Sequence, residues 1–169
     1  MNPTDTLTTF FRHNVWANER LIELCAGLSD DQLDATLLGT FGSIRDTLQH
    51  IVSAERSYLS RISTGRPYRH PADAPPLTLA EMLEWARASG AGLVEWAPRV
   101  QAGDVVEVNW DGVLRDVPKA ILLAQAINHA TEHRAQVMAI LTQLGIEPPE
   151  LDSWAYFDEM GQAGGASTD

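Results

Sequence analysis

A chain of 169 residues with 44% apolar and 21% charged side chains is of a size and composition for one domain whose core needs no disulfide as a staple. Its 23 Asp and Glu against 12 Lys and Arg give a formal charge of -11, a field that repels phosphate backbones and anionic lipid surfaces. Nucleic acid and membrane are therefore not expected as partners.

The opening stretch MNPTDTLTTFFRHNVWANER has no basic run followed by an apolar run, and no window approaches the roughly eighteen apolar residues of a membrane span. A cytoplasmic protein is expected. Helical periodicity begins near Thr4 and runs to Gly27, with Leu7, Phe10, Phe11, Asn14, Ala17, Leu21, Leu24 and Leu28 recurring at three and four. Cys25, the single cysteine, falls on the apolar side of this helix and reads as a packing residue.

A second helix opens at Ser43, an N-cap with Asp46 three residues on, and ends near Thr64-Gly65. Its stripe is Ile44, Leu48, Ile51, Tyr58 or Leu59, and Ile62, with Thr47, His50 and Ala54 on an inward-facing flank. The proline-rich GRPYRHPADAPP that follows is a connector, in which His70 is expected to be solvated. The third helix starts at Thr78 with Glu81 completing Thr-x-x-Glu and continues through Met82, Leu83, Ala86 and Leu93 to about Trp96. Gly90 and Gly92 within it suggest a bend or a close helix approach.

In VVEVNWDGVLRDV, two β-rich runs flank Asp111-Gly112, the preferred two-residue hairpin turn, so a small ribbon is expected before the last long helix. That helix runs from about Pro118 to Gly145, with Leu122, Ala126, His129, His133, Gln136 or Val137, Ile140 and Leu144 on one stripe. SWAYFDEM suggests a short terminal helix. Four amphipathic helices imply an all-α four-helix bundle with a short β-hairpin, spanning 1–160, followed by a disordered tail over 161–169.

In INHATEHRAQ, His129 and His133 lie four apart, which on a helix puts two imidazoles on one face about 6 Å apart along the axis. By spacing alone, about one random sequence in ten of this histidine content would show such a pair. Position adds weight, because the two rings interrupt an apolar stripe where an unpartnered polar group costs about 1 to 3 kcal/mol. They are either hydrogen-bonded core residues or metal ligands. A third ligand would come from His13, His50 or His70, and three imidazoles would leave a catalytic ion one open position. His129-Ala-Thr-Glu132-His133 also fits the inverted zinc-protease pattern H-x-x-E-H, with Glu132 as a candidate base.

The segments HNVWANERLIELCAGLSDDQL, GSIRDTLQHIVSAERSYLSRI and INHATEHRAQVMAILTQLGIEPPELDSWAYF, in this order and spacing, resemble the DinB family, also called DinB/YfiT-like metalloenzymes. The resemblance covers about Leu7 to Glu159 and implies that His50, His129 and His133 bind a divalent metal, zinc or nickel. It also implies a homodimer. Some relatives are thiol-dependent transferases or isomerases using mycothiol, bacillithiol or glutathione, which makes a low-molecular-weight thiol an expected co-substrate. Trp16, Tyr58, Trp154 and Tyr156 fall in the matching segments and are candidate pocket residues for a small-molecule substrate. The alternatives are a non-catalytic binding module for a small ligand or a protein, and a metallohydrolase activating water.

Overall fold

The computed structural model describes residues 6–68, 70–71 and 73–165. Helix α1 spans Thr6–Cys25, and a short α2 follows over Asp30–Leu33. The Thr4-Asp5 start expected for the first helix and residues 166–169 of the tail lie outside the described residues. Helix α3 (Ile44–Thr64) begins at the expected capping box: the Ser43 hydroxyl accepts from the Asp46 N–H at 3.1 Å, and the Asp46 carboxylate accepts the Ser43 N–H at 3.4 Å. It stops at Gly65, whose φ of 74° an L side chain would resist. Helix α4 (Leu79–Trp96) opens on the Thr78–Glu81 box and ends in a 3-10 turn over Ala97–Arg99.

Strands β1 (Val105–Trp110) and β2 (Val113–Pro118) pair antiparallel, with Trp110 opposite Val113. Asp111 and Gly112 both have positive φ, 50° and 85°, the two-residue turn that the Asp-Gly pair foretold. Helix α5 (Lys119–Gln143) follows directly, Pro118 being both the last residue of β2 and the helix N-cap. Helix α6 runs Ser153–Gly165, longer than SWAYFDEM suggested.

The protein is the expected four-helix bundle. Helix α1 packs on α4 and α5, and α3 packs on the same two, so α1 and α3 face each other across the middle. At Gly90 an added β-carbon would overlap Val15 of α1, and at Gly92 one would overlap Leu59 of α3. The two glycines are thus the close-approach points of α4, and any side chain there would force its neighbours apart.

One apolar cluster gathers Leu21, Ile22, Leu48, Ile51, Val137 and Ile140, and a second gathers Phe11, Ile62, Leu93, Leu122 and Ala126 under the hairpin. Truncating one of these buried Leu or Ile side chains to Ala would cost about 2 to 5 kcal/mol. Two details depart from the sequence reading. Leu7, Phe10 and Leu144 are exposed, and the innermost stripe of α5 passes through Ala130, Arg134 and Val137. His129 and His133 therefore sit on the flank of α5, half-buried in its seam with α3, rather than on the bundle axis.

Candidate metal centre

His50 projects from the first half of α3, and His129 and His133 project one turn apart from α5. Because those two helices pack together, the imidazoles converge. Ring centroids are 4.7 Å apart for His50 and His129, 4.8 Å for His50 and His133, and 4.4 Å for His129 and His133. One ring nitrogen from each lies within 4.8 Å of the other two. Among the described residues, this is the group of His, Cys, Asp or Glu side chains arranged to hold a metal ion.

The surroundings fix individual rings. Gln136 Oε1 accepts the Phe41 backbone N–H at 3.0 Å and lies 3.0 Å from His133 Nδ1. An oxygen already accepting one proton can only accept another, so His133 carries its hydrogen on Nδ1 and leaves Nε2 as a bare lone pair. Phe41, from the loop before α3, stacks on His50 at 4.0 Å with planes 15° apart. The Tyr58 ring stands edge-on to His129 at 6.0 Å.

Hydrogen bonding among the three rings does not satisfy them. His129 Nε2 lies 2.9 Å from His50 Nε2, so one nitrogen donates and the other accepts, while His129 Nδ1 is buried without a partner. Either tautomer of His129 leaves a buried polar atom orphaned. Burial, then the neighbouring His133 and His50, push His129 down to about 4, and burial followed by His133 lowers His50. Both are neutral near pH 7, with lone pairs available to a cation. Three nitrogens of this kind could hold a metal ion and would leave at least one position for another ligand.

The other sequence candidates lie elsewhere. His13 points its Nε2 at the Leu151 carbonyl, 2.9 Å away, and packs with Trp16 and Tyr156. His70 packs edge-on against Trp85 instead of lying in solvent. Glu132 is exposed and forms no hydrogen bond to the three histidines. Of the four aromatic candidates only Tyr58 adjoins the site; Trp16 and Tyr156 pack on each other by α6, and Trp154 is 77% exposed.

Sequence reasoning missed Phe41 and Gln136, and it also missed a second buried polar cluster. Glu55 on α3 is fully buried and accepts from Asn14 Nδ2 at 2.5 Å and from Asn18 Nδ2 at 2.9 Å. The two amide oxygens in turn accept from Arg134 Nη1 at 2.8 and 2.7 Å, and Arg134 Nη2 donates to Thr131 Oγ1 at 3.0 Å. Two asparagines thus bridge a buried carboxylate to a buried guanidinium. Burial pushes Glu55 up to about 7 against the pull of Asn14, Arg134 and Asn18, and it draws Arg134 down to about 10. The one signal in the sequence was Asn14 at a core position of its stripe.

Cys25 is buried, and burial pushes its thiol up to about 12, so it is a packing residue and no nucleophile. No helix among the described residues is long and apolar enough to cross a membrane.

Fold and cluster together define a helix-bundle protein with a three-histidine group that could hold a metal ion. The model of the family described as DinB family matches residues 1–163, and the chain belongs to that family. Among solved structures it is similar to a DinB-like protein from Bacillus subtilis, with a TM-score of 0.63 at 14% identity, covering 88% of this chain and 99% of that one. A DinB-like protein from Bacillus cereus gives a TM-score of 0.59 at 18% identity, covering 82% and 91%. At these identities the likeness is one of fold. No curated protein matches the chain.

Proposed function

We propose that this protein is a divalent-metal enzyme in which His50, His129 and His133 hold one zinc or nickel ion whose remaining position is open to an incoming ligand. The observation that carries the reading is the convergence of three imidazoles with no acidic or thiol side chain in the group. An ion there would lower the pKa of a thiol or a water and supply a nucleophile near neutral pH. The chain's own residues do the positioning. Gln136 fixes the tautomer of His133, Phe41 covers one face of His50, and Tyr58 borders His129.

A low-molecular-weight thiol such as mycothiol, bacillithiol or glutathione is the co-substrate we favour, because a thiolate is a soft ligand suited to such an ion. The exposed, unattached Glu132 gives no support to a hydrolase that uses it as base. We read the protein as cytoplasmic, acting on a small molecule, and homodimeric. Support for self-association comes from the exposed apolar side chains Phe10, Trp154, Phe157 and Met160.

Cobalt(II) loading tests the thiol reading. Uptake of about one cobalt per chain with visible absorption, and a new near-ultraviolet band on adding glutathione, is expected. Cobalt uptake with no spectral response to glutathione or another small thiol would remove the thiol from the account.

A further inference from the structure

Directly beside the histidines, α3, α5 and the hairpin enclose a groove of about 510 Å³. Its near end is one helical turn from two of the three rings: Ala54 follows His50 by four residues, and Gln125 precedes His129 by four. Tyr58 lines the groove and also touches the His129 ring edge-on, so groove and histidine cluster share a wall. Val108, Trp110 and Val117 of the hairpin close the outer side.

The far end holds Arg61. It is half-buried, donates to the Ser57 hydroxyl, and has no carboxylate within ion-pair distance among the described residues. Arg20, Arg45, Arg87 and Arg99 are each ion-paired, whereas Arg12, Arg56, Arg66 and Arg115, like Arg61, have no carboxylate partner among the described residues. Among these unpaired arginines Arg61 is the one that lines this groove, where it offers a positive charge in a chain of net charge -11.

The hairpin repeats this sorting of charge. Glu107 and Asp116 are cross-strand partners, and alternation sets them on the opposite face from Val108, Trp110 and Val117. Arg115, paired with Val108, lies on the groove-facing side with its guanidinium 5.6 Å from the Trp110 ring centre. Glu107 lines the adjoining cleft, on Arg61's other side, and forms no ion pair with it.

We propose that this groove is the substrate subsite, and that it takes a small molecule with a flat apolar body and one carboxylate, the carboxylate meeting Arg61 and the reactive end lying toward the histidines. The apolar body packs between Tyr58, Trp110 and the hairpin valines. Arg61 is eleven residues beyond His50 on α3, roughly 16 Å of helix rise, and an arginine side chain leans back toward the helix N-terminus. The molecule therefore spans on the order of 10 Å. The assignment rests on the metal-centre reading for what happens at the reactive end, whereas occupancy of the groove depends on Arg61 and the apolar walls.

Protein labelled with 5-fluorotryptophan tests it by fluorine NMR, the Trp110 resonance being assigned with Trp110→Phe. Titration with 4-phenylbutyrate is expected to shift the Trp110 signal saturably, with 4-phenylbutanamide binding about tenfold more weakly. Arg61→Gln should erase that preference, and Arg61→Lys, which keeps the charge, should retain part of it. No saturable shift at Trp110, equal binding of acid and amide, or an unchanged preference in Arg61→Gln would each overturn the proposal. Metal content of the same wild-type samples separates the two readings. Selective binding without metal sustains the groove and sinks the metal centre, and metal without selective binding does the reverse.

Discussion

Helices α3 and α5 bury polar side chains together in two places, and the two places are resolved differently. At Glu55 and Arg134 the opposing charges are linked through Asn14 and Asn18, both amides donating to Glu55 Oε1 while Oε2 is buried without a partner. At His50, His129 and His133 the rings meet one another, and His129 Nδ1 has no partner. The first cluster ties α1, α3 and α5 across the bundle and holds its own counter-charge, the Arg134 guanidinium. The second brings three imidazole nitrogens together with no acidic side chain in the group, an arrangement a cation would complete. Neither burial nor a single unpartnered atom distinguishes function from structure, since each cluster has both; the convergence of three nitrogen lone pairs does.

The comparison can be broken first at the closed cluster. Glu55→Ala leaves the Arg134 guanidinium buried without its counter-charge, and a loss of about 3 to 5 kcal/mol in denaturant unfolding is expected. A loss under about 1 kcal/mol would show that the network carries little of the fold.

The open cluster should respond in ligand affinity instead of stability. Gln136→Ala frees the His133 ring, and metal affinity is expected to fall about 10- to 100-fold with the unfolding midpoint of the metal-free protein little changed. A midpoint that falls while affinity holds would reverse the roles assigned to the two clusters.

Their pH responses sharpen the contrast in metal-free protein. His129 is lowered to about 4 from 6.5, so its contribution is complete above 6.5 and is lost as pH falls toward 4. Glu55 is raised to about 7 from 4.5, so its contribution is complete below 4.5 and is lost as pH rises through 7. The two oppose each other over nearly the same interval. Glu55→Gln removes one side, and melting temperature should then drop more steeply than in the wild type as pH falls from 6.5 to 4. Parallel curves would refute that opposition. The smallest effect expected is from Glu132→Gln, whose exposed position predicts unchanged metal affinity by titration.

Local signals in the sequence carried most of the fold. Ser43 with Asp46, Thr78 with Glu81, and Asp111-Gly112 each report a backbone requirement met within a few residues, so each is visible without tertiary structure. The histidine pair was equally visible, since its spacing is a helix property. Its exact burial was not. A stripe drawn through His129 and His133 differs by one residue from the true inner stripe through Ala130 and Arg134, because periodicity favours apolar residues and treats arginine as surface. Glu55 was hidden for the same reason: asparagines of one helix and the Arg134 guanidinium of another offset its burial. Phe41 and Gln136 meet through a loop folding onto a helix, a contact with no local signature.

The most direct test of the central claim is elemental analysis of the purified, untagged protein beside His129→Ala. About one divalent ion per chain in the wild type and none in a folded variant is the predicted result. No ion in either protein, even after zinc or nickel is added, would mean that the three histidines are core residues that hold no ion, contradicting the account.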